Sequence, residues 1–181
     1  MKNWMETTNP HTANVTYKKP WLRLRDDKTV KAGNVWLFTD GSSTGWHAAS
    51  VLVPGKYVRQ VTKFAEKTPS RNIAAELNAA ILGLQVCSSV DGPIYVIHDY
   101  LGVGAWTIGA WNINNDEVRE KVAKIKSIIS SQRLDVAFIH HPGHLDKGKF
   151  KDDSDFTKWN CATDRLCTAQ VEGDSITSWE S

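Results

Sequence analysis

Four acidic side chains occur in or beside segments that are expected to be buried, where an unpaired charge would destabilise the fold. Asp40 and Asp99 each follow an apolar run, while Glu76 and Asp164 lie within segments of helical periodicity. Burying an unpaired carboxylate costs several kcal/mol, so four carboxylates that converge would need cations. Hard divalent ions take oxygen ligands, and two such ions can clamp the attacking and leaving oxygens of a phosphodiester. The pattern therefore points to metal-assisted phosphoryl transfer.

Composition limits the classes to which the protein can belong. With 181 residues and 41% apolar content, the chain can bury one good core, so a single domain is the default. No window approaches about 18 uninterrupted apolar residues, which argues against a membrane span. The polar N-terminus lacks a secretory signal, so we expect a cytoplasmic protein. The three cysteines have no C-x-x-C spacing, which argues against a disulfide framework and a zinc knuckle.

Hydrophobic periodicity predicts the elements that position the acids. Strands are predicted at residues 35–39, 48–53, 57–64, 94–97 and 136–139, and helices after Ser70, from Asp116 and at about 157–171. Glu76 comes three residues after Ile73 and four before Ala80, which puts it on the core side of its helix. The expected fold class is α/β, a mixed five-stranded sheet of three antiparallel strands and then two parallel ones, with helices on both faces. Strand-end acids then lie at carboxyl ends of strands, where open α/β sheets bind ligands.

Three regions follow from charge and periodicity. Residues 1–34 carry seven Lys/Arg and three Asp/Glu without periodicity, which predicts a basic, flexible extension. Residues 35–172 contain the predicted elements and form the expected catalytic domain, and residues 173–181 form a C-terminal tail. This layout suits a polyanion that is gripped by basic flanks and reaches the acids only when metal is present.

Across residues 35–170 the sequence resembles type 1 ribonuclease H. The resemblance rests on short motifs in the family's order: Phe38-Thr39-Asp40-Gly41-Ser42, Arg71-Asn72-Ile73-Ala74-Ala75-Glu76, Ile94-Tyr95-Val96-Ile97-His98-Asp99-Tyr100, His141-Pro142-Gly143 and Asn160-Cys161-Ala162-Thr163-Asp164. A single Thr-Asp-Gly-Ser is ordinary turn chemistry, whereas the ordered set is specific. The stretch from Asp99 to Trp111 looks most like a bacterial branch of the family with Asp-Tyr at this position.

The resemblance implies an endonuclease that hydrolyses the RNA strand of RNA/DNA hybrids and leaves 5′-phosphate and 3′-hydroxyl ends. It implies two Mg²⁺ or Mn²⁺ ions held by four ligands: Asp40, Glu76, Asp99 and Asp164. It further implies that His141 assists proton movement or product departure. The substrate contacts implied by the match are Gly41, Ser42, Asn72, Asn160 and Trp106. For Asn72, a plain position in the first turn of a helix is an alternative.

The resemblance also implies binding partners, and two segments of the sequence differ from the family pattern. A replication polymerase or a reverse transcriptase is an expected partner besides the hybrid, and we expect a monomer. The sequence departs from the family in a polar insertion at residues 145–158 and in the N-terminal extension. We expect residues 18–31 of that extension to help grip the hybrid.

Other interpretations stay open on the residues alone. A DNA-directed nuclease of the same fold, similar to a resolvase or integrase, would use the same acids, and an inactive nucleic-acid-binding module could retain the fold. A two-carboxylate glycosidase would leave two acids unexplained. The residues His140, His141, His144 and Asp146 match a zinc site by ligand type, although a polar loop is the simpler expectation for the first and third. Trp111 is expected in the core.

Overall fold

The computed structural model describes residues 34–88, 90, 92–141 and 155–179. The strands are β1 (Val35–Gly41), β2 (Trp46–Val53), β3 (Tyr57–Phe64), β4 (Ile94–His98), β5 (Val136–His140) and β6 (Gly173–Ser178). The helices are α1 (Arg71–Val86), α2 (Gly102–Thr107), α3 (Asp116–Ser131) and α4 (Asp155–Ala169). The predicted order of elements is confirmed, with α2 and β6 in addition. Residues 1–33 of the predicted extension and residues 145–154 of the insertion lie outside the described ranges.

The strands form one sheet in the order β5-β4-β1-β2-β3-β6. β2 pairs antiparallel with β1 and β3, β6 pairs antiparallel with β3, and β4 pairs parallel with β1 and β5. The prediction of an α/β fold with a mixed sheet is confirmed. The predicted count of five strands is wrong, because residues 173–178, expected in a tail, form a sixth strand. The division into domains stays a prediction.

β6 carries no sequence signal, because nothing in its composition requires burial. All its residues are exposed, Ile176 by 64%. The strand is held by its backbone ladder to β3 and by Arg59, whose guanidinium donates to Asp174 at 3.0 Å and 2.7 Å. Beyond β6, the backbone N–H of Trp179 donates to the Lys56 carbonyl at 3.1 Å, and the indole packs on the core. Pairing between distant polar segments leaves no periodic pattern for sequence analysis to detect.

Side-chain alternation in β1 separates two cores on the two faces of the sheet. Val35 and Leu37 pack with residues of α1 and α3, as the apolar stripes of those helices predict. Trp36 and Phe38 pack with Phe156 of α4, whose ring centroid lies 5.1 Å and 5.8 Å from theirs. Because successive side chains of a strand point to opposite faces, residue 40 continues the row that faces α4.

The helix boundaries agree closely with the sequence pattern. α1 follows Ser70 and α3 begins at Asp116, where the Asn115 side chain accepts a hydrogen bond from the Val118 N–H at 3.1 Å. α4 begins and ends two residues earlier than predicted. None of the helices in the described ranges has both the length and the apolar character needed to cross a membrane.

Candidate active site

Neighbouring parallel strands place Asp40 and Asp99 side by side. The register pairs Thr39 of β1 with His98 of β4, so the next residue of each segment lies at the same level. Asp40 was expected just beyond its strand, but it lies within β1, because pairing with β2 continues to Gly41. Its carboxylate therefore stands at the carboxyl edge of the parallel strands on a backbone held by the sheet.

Glu76 of α1 completes a group of three carboxylates. One carboxylate oxygen from each of Asp40, Glu76 and Asp99 lies within 4.8 Å of the others. The Gly41 backbone N–H donates to Glu76 Oε1 at 3.3 Å, which ties the helix acid to the end of β1. Oxygen atoms at this spacing can ligate a hard divalent cation together. The described residues hold no second group of three or more such side chains.

Burial and mutual repulsion make this group costly without a cation. Asp40 is 4% exposed and Glu76 is 6% exposed. Burial, followed by the neighbouring Asp99 and Asp164, raises the pKa of Asp40 to about 9. Burial, followed by the charges of Asp99 and Asp40, raises the pKa of Glu76 well above its ordinary value. Glu76 Oε2 is buried with no hydrogen-bond partner in the described part of the chain, so the donor set fits a divalent cation.

Asp164 of α4 approaches the group from the opposite face. Its charge helps to raise the Asp40 pKa, but Asp164 is exposed and is not one of the three acids whose oxygens lie within 4.8 Å of one another. Asn160, one helical turn earlier, is 5% exposed, and its Oδ1 has no hydrogen-bond partner among the described residues. Asn160 and Asp164 are four residues apart and therefore share one side of α4. The Cys167 thiol donates to the Asp40 carbonyl oxygen at 3.3 Å and secures the helix there.

A chain of hydrogen bonds fixes α4 on β2 next to Asp164. The Thr163 hydroxyl donates to the Trp159 carbonyl at 2.8 Å, so at the 2.8 Å contact with Ser50 it accepts the Ser50 hydroxyl proton. Gln60 Nε2 in turn donates to Ser50 Oγ at 3.2 Å. These contacts link the helix that carries the fourth acid to β2, which flanks β1, and through Gln60 to β3.

His141 lies beyond β5, two strands from Asp40. Its backbone N–H donates to the His98 carbonyl at 2.9 Å, which extends the sheet by one residue. The imidazole is buried, Nε2 hydrogen-bonds with Thr157 Oγ1 at 2.9 Å, and the ring lies 6.1 Å from that of Phe156. The structure thus packs His141 against α4, and its catalytic role stays a prediction. The proposed zinc ligands His144 and Asp146 lie outside the described residues.

The predicted substrate contacts lie in different local settings. Ser42 is half-buried in the β1–β2 turn, where its hydroxyl accepts from the Thr44 N–H at 3.2 Å. Asn72 is exposed in the first turn of α1. Trp106 of α2 is half-buried between Tyr100 and Trp111, with ring centroids 5.7 Å from each. The expectation of a buried Trp111 is wrong: it is 38% exposed, lies beyond the end of α2 and packs with Trp106 in an edge-to-face arrangement.

The sequence did not assign two histidines to this site: His98 carried no predicted role, and His140 was considered only as a zinc ligand or as part of a polar loop. His140, expected in a polar loop, is the last residue of β5, and its Nε2 donates to the Asp99 carbonyl at 3.0 Å. His98 Nδ1 donates to the Tyr100 carbonyl at 2.8 Å. Burial lowers the pKa of His98 to about 3, with the neighbouring His140 adding to the effect, and burial also lowers the pKa of His140. A histidine at the end of each of two adjacent strands is the signal that sequence analysis could have used.

Comparison with known proteins gives matches at the level of structure. No protein-family model matches the sequence, and no curated protein sequence matches it. The RNase H1 of the archaeon Halobacterium salinarum superposes with a TM-score of 0.59 at 19% identity, over 75% of this chain and 96% of that one. LC11-RNase H1, solved in complex with an RNA/DNA hybrid, superposes with a TM-score of 0.60 at 18% identity, over 75% and 94% of the chains. The protein has a type 1 ribonuclease H-like fold.

The ribonuclease H-like fold also occurs within larger neighbours. Prototype foamy virus protease-reverse transcriptase matches with a TM-score of 0.52 at 17% identity, over 80% of this chain and 22% of the viral one. Identities this low establish the fold and not the activity. Membership of the bacterial Asp-Tyr branch, expected from Asp99 and Tyr100, stays a prediction.

Proposed function

We propose that the protein is a metal-dependent endonuclease that hydrolyses the RNA strand of RNA/DNA hybrids. The observation that carries this proposal is the trio of Asp40, Glu76 and Asp99 at the carboxyl edge of a ribonuclease H-like sheet. In support, a neighbour of the same fold was solved with an RNA/DNA hybrid, and another lies within a reverse transcriptase chain.

The residues of the site suit a cation-dependent reaction. When bound, two Mg²⁺ or Mn²⁺ ions would activate water and stabilise the leaving oxygen, giving 5′-phosphate and 3′-hydroxyl ends. We assign the ligands to Asp40, Glu76, Asp99 and Asp164. Burial shields the first two from the screening of bulk water, which strengthens their attraction for a divalent cation. The charges of both Asp99 and Asp164 raise the pKa of Asp40, which supports placing these three acids in one ligand set that would hold the cations.

We assign substrate recognition to the polar and aromatic residues predicted from the sequence. Distinguishing RNA from DNA requires donors or acceptors that reach the 2′-hydroxyl, and Gly41, Ser42, Asn72 and Asn160 supply such groups. Trp106 offers an aromatic face for stacking on a base or sugar. His141 is assigned to proton movement or product departure. A replication polymerase or reverse transcriptase as partner, a monomeric state and a cytoplasmic location are further parts of the proposal.

Strand-labelled substrates test this function directly. RNA/DNA hybrid, RNA duplex and DNA duplex are each incubated with Mg²⁺, Mn²⁺ or chelator, and we expect cleavage only of the RNA strand of the hybrid, with metal present. Preferential cleavage of the DNA duplex would identify a DNA-directed nuclease instead. Metal-dependent hybrid binding without turnover would identify an inactive binding module.

A pair of matched variants assigns the activity to the acids. Asp99→Asn removes a ligand charge at nearly constant side-chain volume. Mutating a group that only orients a metal ligand lowers activity by up to about a hundredfold, so loss of a ligand itself should lower hybrid cleavage by more than that. Asp135→Asn makes the same change just before β5, at the opposite edge of the sheet, and should cleave like the wild type. Equal activity of Asp99→Asn and wild type would refute the assignment.

A further inference from the structure

Two histidines each hold a backbone carbonyl in the segment that carries Asp99. His140 Nε2 donates to the Asp99 carbonyl oxygen at 3.0 Å, and His98 Nδ1 donates to that of Tyr100 at 2.8 Å. The parallel register pairs the two histidines, and their ring centroids lie 6.1 Å apart. Successive carbonyls after the end of β4 are thus each bound by an imidazole.

The sheet holds only the start of this segment. The His98 carbonyl, in the peptide group that leads into Asp99, accepts from the His141 N–H at 2.9 Å, whereas the carbonyls of Asp99 and Tyr100 lie beyond the end of β4. Hydrogen bonds to the two carbonyls restrict the backbone dihedrals there, and the backbone in turn limits the rotamers open to the Asp99 side chain. His98 is fully buried and His140 is part of β5, so both donors are themselves held by the fold.

A neutral imidazole can donate each of these hydrogen bonds to a carbonyl. A carbonyl oxygen only accepts, so the nitrogen that faces it must carry a proton.

We propose that His140 and His98 are positioning residues that hold the Asp99 backbone so that its carboxylate meets those of Asp40 and Glu76. The inference rests on the proposed metal-dependent function. It assigns no chemical step to either imidazole; both act through Asp99.

Metal affinity of the full chain tests the proposal independently of turnover. Mn²⁺ binding is measured by titration calorimetry for the wild type, His140→Leu and His140→Gln. Leucine removes the donor, and we expect Mn²⁺ affinity to fall at least about tenfold, as for other groups that orient metal ligands. The glutamine amide nitrogen can occupy the Nε2 position, so His140→Gln should restore most of the affinity. In hybrid cleavage, His140→Leu should need more metal for half-maximal rate while the KM for hybrid changes little.

His47, a buried histidine that also donates to a backbone carbonyl, provides the matched control. His47 Nδ1 donates to the Gly45 carbonyl at 3.2 Å, in a turn that carries no metal ligand. His47→Leu should therefore lower the thermal unfolding temperature without weakening Mn²⁺ affinity. If His140→Leu does not fold, His140→Asn replaces it, because its amide is too short to reach Asp99 and should weaken Mn²⁺ binding in the same way.

The outcomes separate this inference from the proposed function. A wild type that neither binds Mn²⁺ nor cleaves hybrid would refute the proposed function itself. A wild type that does both, together with wild-type Mn²⁺ affinity in His140→Leu or His140→Asn, would overturn the positioning role alone. Equal loss of affinity in the glutamine and leucine variants would also overturn it, because the donor would then not be what matters.

Discussion

The backbone N–H of Gly41 donates to Glu76 Oε1 at 3.3 Å, and this contact exists only because position 41 has no side chain. A Cβ there would lie 2.2 Å from the carbonyl carbon of Ala75 and 2.4 Å from the backbone nitrogen of Glu76. Backbone atoms cannot move aside as the end of a flexible side chain can. The close approach of α1 to the end of β1 is therefore what brings Glu76 to Asp40.

We predict that Gly41→Ala disrupts the site more than the fold. The methyl group must push α1 away, which should cost about 1–3 kcal/mol of unfolding free energy, as overpacking typically does. A displacement of about 1 Å can cost about a hundredfold in rate, so hybrid cleavage should fall by that order. Denaturant unfolding and cleavage kinetics measure the two effects. Gly173→Ala is the control, since a Cβ there meets nothing within 4 Å, and activity loss in both variants would contradict the explanation.

Stability without metal should decrease as the pH rises. The pKa of Asp40 is raised from 3.8 to about 9, and that of Glu76 is also raised. Between the unfolded and folded pKa values the folded state holds protons that the unfolded state has released, so the free energy of unfolding falls with increasing pH. In chelator, the unfolding temperature should be lower at about pH 8.5 than at about pH 6, with a smaller difference in Asp40→Asn.

Added metal should reverse this trend. Cation binding displaces protons from the carboxyl groups, so Mg²⁺ or Mn²⁺ should raise the unfolding temperature more at high pH than at low pH. A wild type whose unfolding temperature in chelator does not change over this pH range would contradict the raised pKa values.

The contact between Ser50 and Thr163 should support Asp164 indirectly. Thr163→Val leaves a buried hydroxyl of Ser50 without its acceptor, which should cost about 1–3 kcal/mol of unfolding free energy. Mn²⁺ affinity should also fall, because Asp164 is the next residue. Combining Ser50→Ala with Thr163→Val removes both polar partners and should recover much of the stability. A double variant as unstable as the sum of its single variants would show that the two hydroxyls act separately.

β6 should contribute stability but not metal binding. Deleting residues 173–181 removes the ladder to β3 and the packing of Trp179, so the unfolding temperature should drop. Asp174→Ala breaks only an exposed ion pair with Arg59 and should cost less than about 1 kcal/mol. Because β2 and β3 separate β6 from β1, Mn²⁺ affinity should stay at the wild-type value in both variants. Weaker Mn²⁺ binding by the truncated chain would show that β6 supports the site.

Local patterns were sufficient to predict most of the framework. β1 and β4 are recognisable because strands buried on both faces are apolar along their length, so an acid marks the point where each reaches the edge. Glu76 stands out because it lies on the apolar side of α1. Each of these signals depends only on residues that are close in the sequence, so it can be detected without knowing the fold.

Contacts between distant segments could not be predicted in this way. β6 is polar and exposed, and only its hydrogen bonds to β3 make it a strand. His140 reaches the Asp99 carbonyl across 41 positions of sequence, and His141 packs against Thr157. Hydrogen bonds of this kind require two groups to meet in space and leave no periodicity behind.

The sequence by itself determined the order of five strands and three helices, and it singled out the four acids. Only the tertiary structure decided which acids meet. The parallel register sets Asp40 beside Asp99, and Gly41 lets α1 bring Glu76 to both. Register and close packing are properties of paired backbones, so they are decided only when the strands and helices come together.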